Sequence, residues 1–169
     1  ARLHIVSPAS QAARFHQRIA SHPAIVVENT IEDDDAFFRR IAAADLLLLP
    51  VNFDADSIRF IRYSMPTKVP AYLVSGTPIL AYGPAETAQI SYAASAGWAF
   101  VVDTHDITAL AAGIDTVLHD TRLRHALTDA AKRSALENHD ARRVRTQFQA
   151  RIRQAGLPSS KVATNPVAS

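Results

Sequence analysis

The chain has 169 residues, a formal charge of +2 and an apolar content of 48%, the size and composition of one globular domain with a substantial core. It contains no cysteine, which excludes disulfides, iron–sulfur clusters and zinc–thiolate sites and accords with a cytoplasmic location. No apolar run approaches the ~20 residues that a membrane-crossing helix needs, and no signal-peptide pattern opens the sequence.

The chain begins without methionine and goes straight into "RLHIVS" (Arg2–Ser7), a short apolar run stopped by Pro8 and therefore a strand. A start inside a strand suggests a piece of a longer protein. "ASQAARFHQRIASH" sets Ala12, Phe15 and Ile19 at helical spacing, and "AIVVENT" is a second strand. "IEDDDAFFRRIAAA" is a helix whose carboxylates fall at its first turn, against the positive end of the helix dipole. "DLLLLPV" is apolar without interruption, the mark of a parallel strand covered on both faces. "TPILAYG" and "WAFVVD" share that character, with Trp98 and Phe100 as core residues. Between these strands lie the helical patterns "PAYLVSG" and "AETAQISYAASAG", each closed by a glycine, Gly76 and Gly97.

After Asp103 the pattern is helical only. Ile107, Leu110, Ile114 and Leu118 mark one helix, Leu123, Leu127 and Leu136 a second, and Val144, Phe148 and Ile152 a third. From Asp120 to Arg153 there are nine Lys or Arg against four Asp or Glu. This basic stretch is a solvated helix face, with contact to anionic lipid headgroups or a negatively charged partner as its sharper reading. Nucleic acid is disfavoured, because no aromatic residues alternate with the arginines as a stacking platform. Strict alternation of strands and helices predicts an α/β doubly wound, Rossmann-like parallel sheet over residues 1–155, with helices at its C-terminal end and a mobile tail at 156–169.

In such sheets ligands bind beyond the carboxyl ends of the strands. That rule directs attention to the loops after Ser7, after "LLLLPV" and after "ILAYGP". The second carries Asn52, Asp54, Asp56, Ser57, Arg59 and Arg62 as a polar loop and runs into "YSMPTKVP". Pro70 is tolerated in the first turn of a helix, where a missing N–H is no loss. A helix starting after Thr67, with the Thr67 hydroxyl as its cap, therefore presents Lys68 and free amides to an anion, phosphate above all. The seven histidines show no metal-ligand spacing, and the chain has neither a GxGxxG nor a GxxxxGK[ST] sequence nor a GxSxG elbow. Asp33, Asp34 and Asp35 are explained by helix capping, so no metal site is expected.

The block "ADLLLLPVNFD…YSMPTKVPAYLVSGTPILAYGP", with "GWAFVV" and the helical end "LRHALTDAAKRSALENHDARRVRTQF", resembles the C-terminal, donor-binding domain of GT-B-fold glycosyltransferases of the retaining group 1 type. The resemblance covers roughly Arg2 to Arg153. It implies a UDP- or GDP-linked sugar as donor substrate, no metal or other cofactor, and an acceptor held by an N-terminal domain of the same protein. It places Ser64, Thr67 and Lys68 at the diphosphate and Tyr63 at the sugar, with Tyr63 and Lys68 as the catalytic groups. Asn52 and Arg62 border the donor, Arg62 alternatively pairing with Asp54 or Asp56, while Gly83 and Pro84 shape the loop beneath the nucleotide.

Two departures stand out. The family's paired glutamates, spaced E-x7-E, fall here on Tyr63 and Ala71, and alanine cannot hold a ribose. The family's phosphate-binding arginine and lysine belong to a first β–α unit upstream of Ala1. The implied consequence is a cytoplasmic or membrane-peripheral donor half that does not catalyse transfer by itself. The alternative is a non-catalytic module of the same fold, kept for interaction or regulation. An epimerase on this scaffold lacks an acid–base set, and a receiver-type domain lacks an acidic pocket at consecutive strand ends.

Overall fold

A computed structural model of the chain describes residues 1–11, 19 and 22–156. The helix expected over 9–22 and the tail expected after 156 fall largely outside the described residues.

Among the described residues, five parallel strands form two sheets. β1 (Leu3–Ser7) pairs with β2 (Ile25–Asn29), Leu3 opposite Ile25 and Ser7 opposite Asn29. β3 (Leu47–Pro50), β4 (Ile79–Tyr82) and β5 (Phe100–Val102) form the second sheet in that order, with Leu47 opposite Ile79 and Leu80 opposite Phe100. This is the expected α/β class with parallel strands. Among the described residues, however, no strand ladder joins the two sheets.

Helix α1 (Asp34–Ala42) straps them together. Its N-cap is Asp33, whose carboxylate accepts the Ala36 N–H at 2.7 Å, as the acidic start predicts. Toward β2, the Arg40 guanidinium donates to Glu28 Oε1 at 2.9 Å, and His4 Nδ1 of β1 meets the same oxygen at 2.6 Å. Arg40 and His4 together hold the Glu28 carboxyl below its ordinary range, the Arg40 hydrogen bond being the larger cause. Toward the other sheet, Ile41 is buried in the core and its carbonyl accepts the buried Thr77 hydroxyl at 2.8 Å.

The three-stranded sheet is covered on both faces, because successive side chains on a strand point to opposite sides. Leu47, Leu49, Ile79 and Ala81 join a core with Val69, Leu73, Ile90, Ala93 and Trp98. Val69 and Leu73 come from α3 (Lys68–Val74), Ile90 and Ala93 from α4 (Ala88–Ala96) and Trp98 from the turn before β5, and Ala130, Ala131 and Ala135 of α6 (Thr121–Asn138) complete the layer. Leu80, Phe100 and Val102 approach the opposite helix, α5 (Ile107–His119), around Gly113. Asp106 caps α5 by accepting the Thr108 and Ala109 amides at 2.7 and 3.3 Å. Gly76 and Gly97, predicted to end α3 and α4, both have left-handed φ, at 79° and 66°.

One expectation needs correction. The polar segment after β3 is not all loop: α2 (Ala55–Ile61) forms there, because the Asp54 side chain caps it by accepting the Ser57 N–H at 2.8 Å. The last helix, α7 (Ala141–Gly156), forms as expected, and residues 141–155 are all exposed.

Candidate functional site

The carboxyl ends of β3, β4 and β5 deliver three loops to one edge of the sheet. An open cleft of about 480 Å³ lies there, walled by Pro50, Val51 and Asn52 after β3 and by Asp56, Ser57, Phe60 and Ile61 of α2. Asn52 Nδ2 donates to Ser57 Oγ at 3.3 Å, so the polar wall is tied across the cleft. Asn52 is the one expected site residue in that wall. Phe60 projects beside it, 88% exposed.

The remaining expected residues cluster where α2 ends and α3 begins. Arg62 closes α2, and its carbonyl accepts the Ala88 N–H at 2.8 Å, which fixes the start of α4. Its guanidinium forms no ion pair with Asp54 or Asp56 and lies 5.8 Å from the Tyr63 ring centre instead. Asp54 is occupied by its capping role. Tyr63 is 88% exposed, and Ser64 is exposed too, its amide bonded to the Ile61 carbonyl at 2.9 Å.

The helix starts at Lys68 as the sequence predicts, but Thr67 does not cap it with its hydroxyl. Thr67 has helical backbone angles (φ −60°, ψ −23°), whereas a capping residue is normally extended. The Pro66 carbonyl accepts the Val69 N–H at 3.1 Å and tightens this turn. With Pro70 lacking an N–H, the first turn offers at most the Thr67 and Lys68 amides. The Lys68 residue keeps solvent access, yet desolvation of its ammonium lowers its pKa. No carboxylate pairs with it among the described residues. Ala71, one turn on, is half-buried and carries no polar group to this surface.

Gly83 and Pro84 are buried beneath the edge, so they shape the floor and do not reach solvent. Gly83 lies hard against Val51, and its N–H donates to the Val102 carbonyl at 3.1 Å. The Pro84 carbonyl accepts the amide and the buried hydroxyl of Thr87 at 3.1 and 2.9 Å.

One grouping was not anticipated. Phe53 after β3 stacks on His105 after β5, centroids 4.9 Å apart and planes 11° from parallel, and packs on Tyr82 at the end of β4 at 5.1 Å. All three occupy the carboxyl edge and form an aromatic shelf across it. The available signal was position, since each stands at or within a few residues of a strand's end; composition made His105 one surface histidine among seven.

No family model matches the chain, and no curated protein matches it. Among solved structures it is similar to a trehalose-6-phosphate synthase, OtsA, with a TM-score of 0.57 and 14% identity over 90% of this chain. The match spans 36% of that protein's length. At this identity the likeness speaks for fold, and it agrees with the strand and helix order described above: the chain has the architecture of one Rossmann-like half of a GT-B fold.

Proposed function

We propose that the chain is the donor-binding half of a glycosyltransferase, taking a UDP- or GDP-linked sugar for transfer to an acceptor held by another domain of the same protein. The observation that carries this reading is Lys68, a partly desolvated ammonium without a carboxylate partner among the described residues, at the start of a short helix that follows the exposed Tyr63, Ser64 and Thr67 in the chain. A diphosphate brought to Lys68 would relieve its unfavourable environment through charge-assisted hydrogen bonds. As the glycosidic bond breaks, negative charge grows on the leaving diphosphate. A fixed cation there lowers the barrier with no metal required, in keeping with retaining transfer. Tyr63 is the side chain available to the sugar, and Arg62 adds a second positive charge nearby. The similarity to a synthase of trehalose-6-phosphate supports glycosyl transfer as the class of chemistry.

The divided sheet supports a further part of the reading. In the doubly wound strand order 3-2-1-4-5-6, the first strand sits between the second and the fourth. If β1, β2 and β3 are strands two, three and four of that order, the unpaired edges of β1 and β3 are the places a preceding strand would fill. Leu3 and Val6, exposed on β1, would then be covered. The reading assigns the preceding β–α unit the remaining phosphate ligands, and the 169-residue chain by itself is expected to show no transfer.

The substitution of the paired glutamates favours one other reading, a non-catalytic module on the same fold: Tyr63 is fully displayed to solvent and Ala71 offers no ribose ligand. Thermal melting with UDP, GDP and their hexose conjugates separates the two. Ligand at ten times its Kd stabilises by about 1.4 kcal/mol, or roughly 3–6 °C for a domain of this size. Lys68→Ala should abolish that shift while leaving the unliganded melting temperature intact. Unchanged melting with every nucleotide would leave the non-catalytic reading standing.

A further inference from the structure

We infer that Asp56 is the residue that reads the ribose of the donor: its carboxylate accepts the 2′- and 3′-hydroxyls in the cleft between the end of β3 and α2. The inference rests on the donor-binding reading above and fixes which end of the donor that cleft takes. Three observations carry it. First, Asp56 is the one charged residue among the seven that wall the cleft. Second, its carboxylate is uncommitted. Asp54 caps α2, and Asn52 and Ser57 bond to each other at 3.3 Å, whereas the Asp56 side chain enters no hydrogen bond or ion pair among the described residues. Its place in the first turn of α2 suits the helix dipole, an effect on stability that ligand binding does not share. Third, the cleft suits the flat part of a nucleotide. Its volume of about 480 Å³ is that of a small-molecule site, and Pro50, Val51, Phe60 and Ile61 set apolar surface around the single carboxylate. Phe60 follows Asp56 by one helical turn, so the two share a face of α2.

Charge sets the orientation. A carboxylate repels a diphosphate, which goes instead to Lys68, a cation with no carboxylate partner among the described residues. In the donor the diphosphate lies between ribose and hexose. With the hexose assigned to Tyr63 and the diphosphate to Lys68, the ribose is the diol left for the cleft. Its two adjacent O–H groups match the two oxygens of one carboxylate in charge-assisted hydrogen bonds. Ala71, half-buried and without a polar side chain, supplies no competing acceptor. A metal ion is poorly served here, since no group of three or more metal-ligating side chains occurs among the described residues.

The test is isothermal titration calorimetry of the 169-residue chain and of Asp56→Ala with UDP, with GDP and with the 2′,3′-dideoxy form of each. Wild type should bind the dideoxy forms at least tenfold more weakly, because they carry no diol. Asp56→Ala should lose at least tenfold in affinity for the ribonucleotide and bind ribo and dideoxy forms within about twofold of each other. That convergence is a readout that weakening of α2 alone does not produce. Asp54 still caps α2 in the variant, so its circular dichroism should match wild type; if it fails to fold, Asp56→Ser goes through the same comparison in its place. Equal binding of ribo and dideoxy forms by wild type overturns the inference, as does a preference for the ribo form that survives in the variant. In both cases the donor-binding reading still stands. A variant that loses affinity for glucose 1-phosphate and not for UDP or GDP also overturns it, by placing the hexose in the cleft. Absence of binding by every nucleotide overturns both the inference and the donor-binding reading.

Discussion

Gly83 stands where β4 leaves the sheet beneath the candidate site, and Gly83→Ala tests how tightly that floor is built. A Cβ at this position would lie 2.5 Å from Val51 Cβ, 3.1 Å from Val51 Cγ2 and 3.2 Å from the Val51 carbonyl oxygen. Carbon atoms in favourable contact are about 3.5–4.0 Å apart, so roughly 1 Å of movement is required. Val51 cannot readily supply it, because it is buried and its N–H is bonded to the Tyr82 carbonyl at 2.7 Å. The expected cost is that of overpacking a rigid site, about 2–3 kcal/mol. For a domain of this length that is a fall in melting temperature of roughly 4–12 °C. Gly76→Ala and Gly97→Ala are informative controls, since neither new Cβ meets any atom within 4 Å. Their cost is conformational only, about 1 kcal/mol for a left-handed backbone, and Gly76→Asn should recover part of it. Thermal unfolding by circular dichroism measures all four variants. A Gly83→Ala protein that melts within 2 °C of wild type, or no lower than Gly76→Ala, would refute the close-approach argument.

Further outcomes follow from the helix caps and the strap between the sheets. Glu28 has a folded pKa below its unfolded value, so its contribution is fully present above about pH 4.5 and is lost as pH falls through the folded value. Glu28→Gln should therefore flatten the acid side of a stability–pH profile. With both side chains about one-third exposed, the Glu28–Arg40 pair is worth no more than about 1 kcal/mol after screening; Arg40→Ala should cost that much near neutral pH and less at pH 3. Asp106→Ala removes the cap from α5 and should destabilise by about 0.5–2 kcal/mol in chemical denaturation, while Asp106→Asn should restore most of the loss.

The parts of the fold legible in the sequence are those with a local cause. The uninterrupted apolar run at Leu46–Leu49 announces a strand buried on both sides, and Gly76 and Gly97 announce helix ends because the left-handed backbone there strongly favours them. Asp33 also occupies the capping position that the acidic start of its helix marks, whereas the Asp106 cap was not singled out in the sequence. Helix α2 escaped because it has only seven residues, three of them polar, and periodicity is weak evidence over two turns; its signal was the Asp54 cap. The division of the sheet could not be read at all, since strand propensity reports the strand and not its neighbour. At the site, a cation next to a helix start was legible at Lys68. The idle Thr67 hydroxyl and the Phe53–His105 stack were not, because each depends on backbone geometry or on residues 52 positions apart.

The separation of β1 from β3 has a consequence for handling the chain. Each strand presents a row of backbone donors and acceptors to which a stranger can zip, the kind of template that soluble proteins ordinarily guard with charge, proline or a covering element. Pro50 guards only the end of β3, and β1 has Arg2 before it and His4 within it. With these edges free of a strand partner among the described residues, the chain should self-associate through strand pairing at high concentration, and a short apolar peptide added in excess should suppress that clumping by pairing with the same edges.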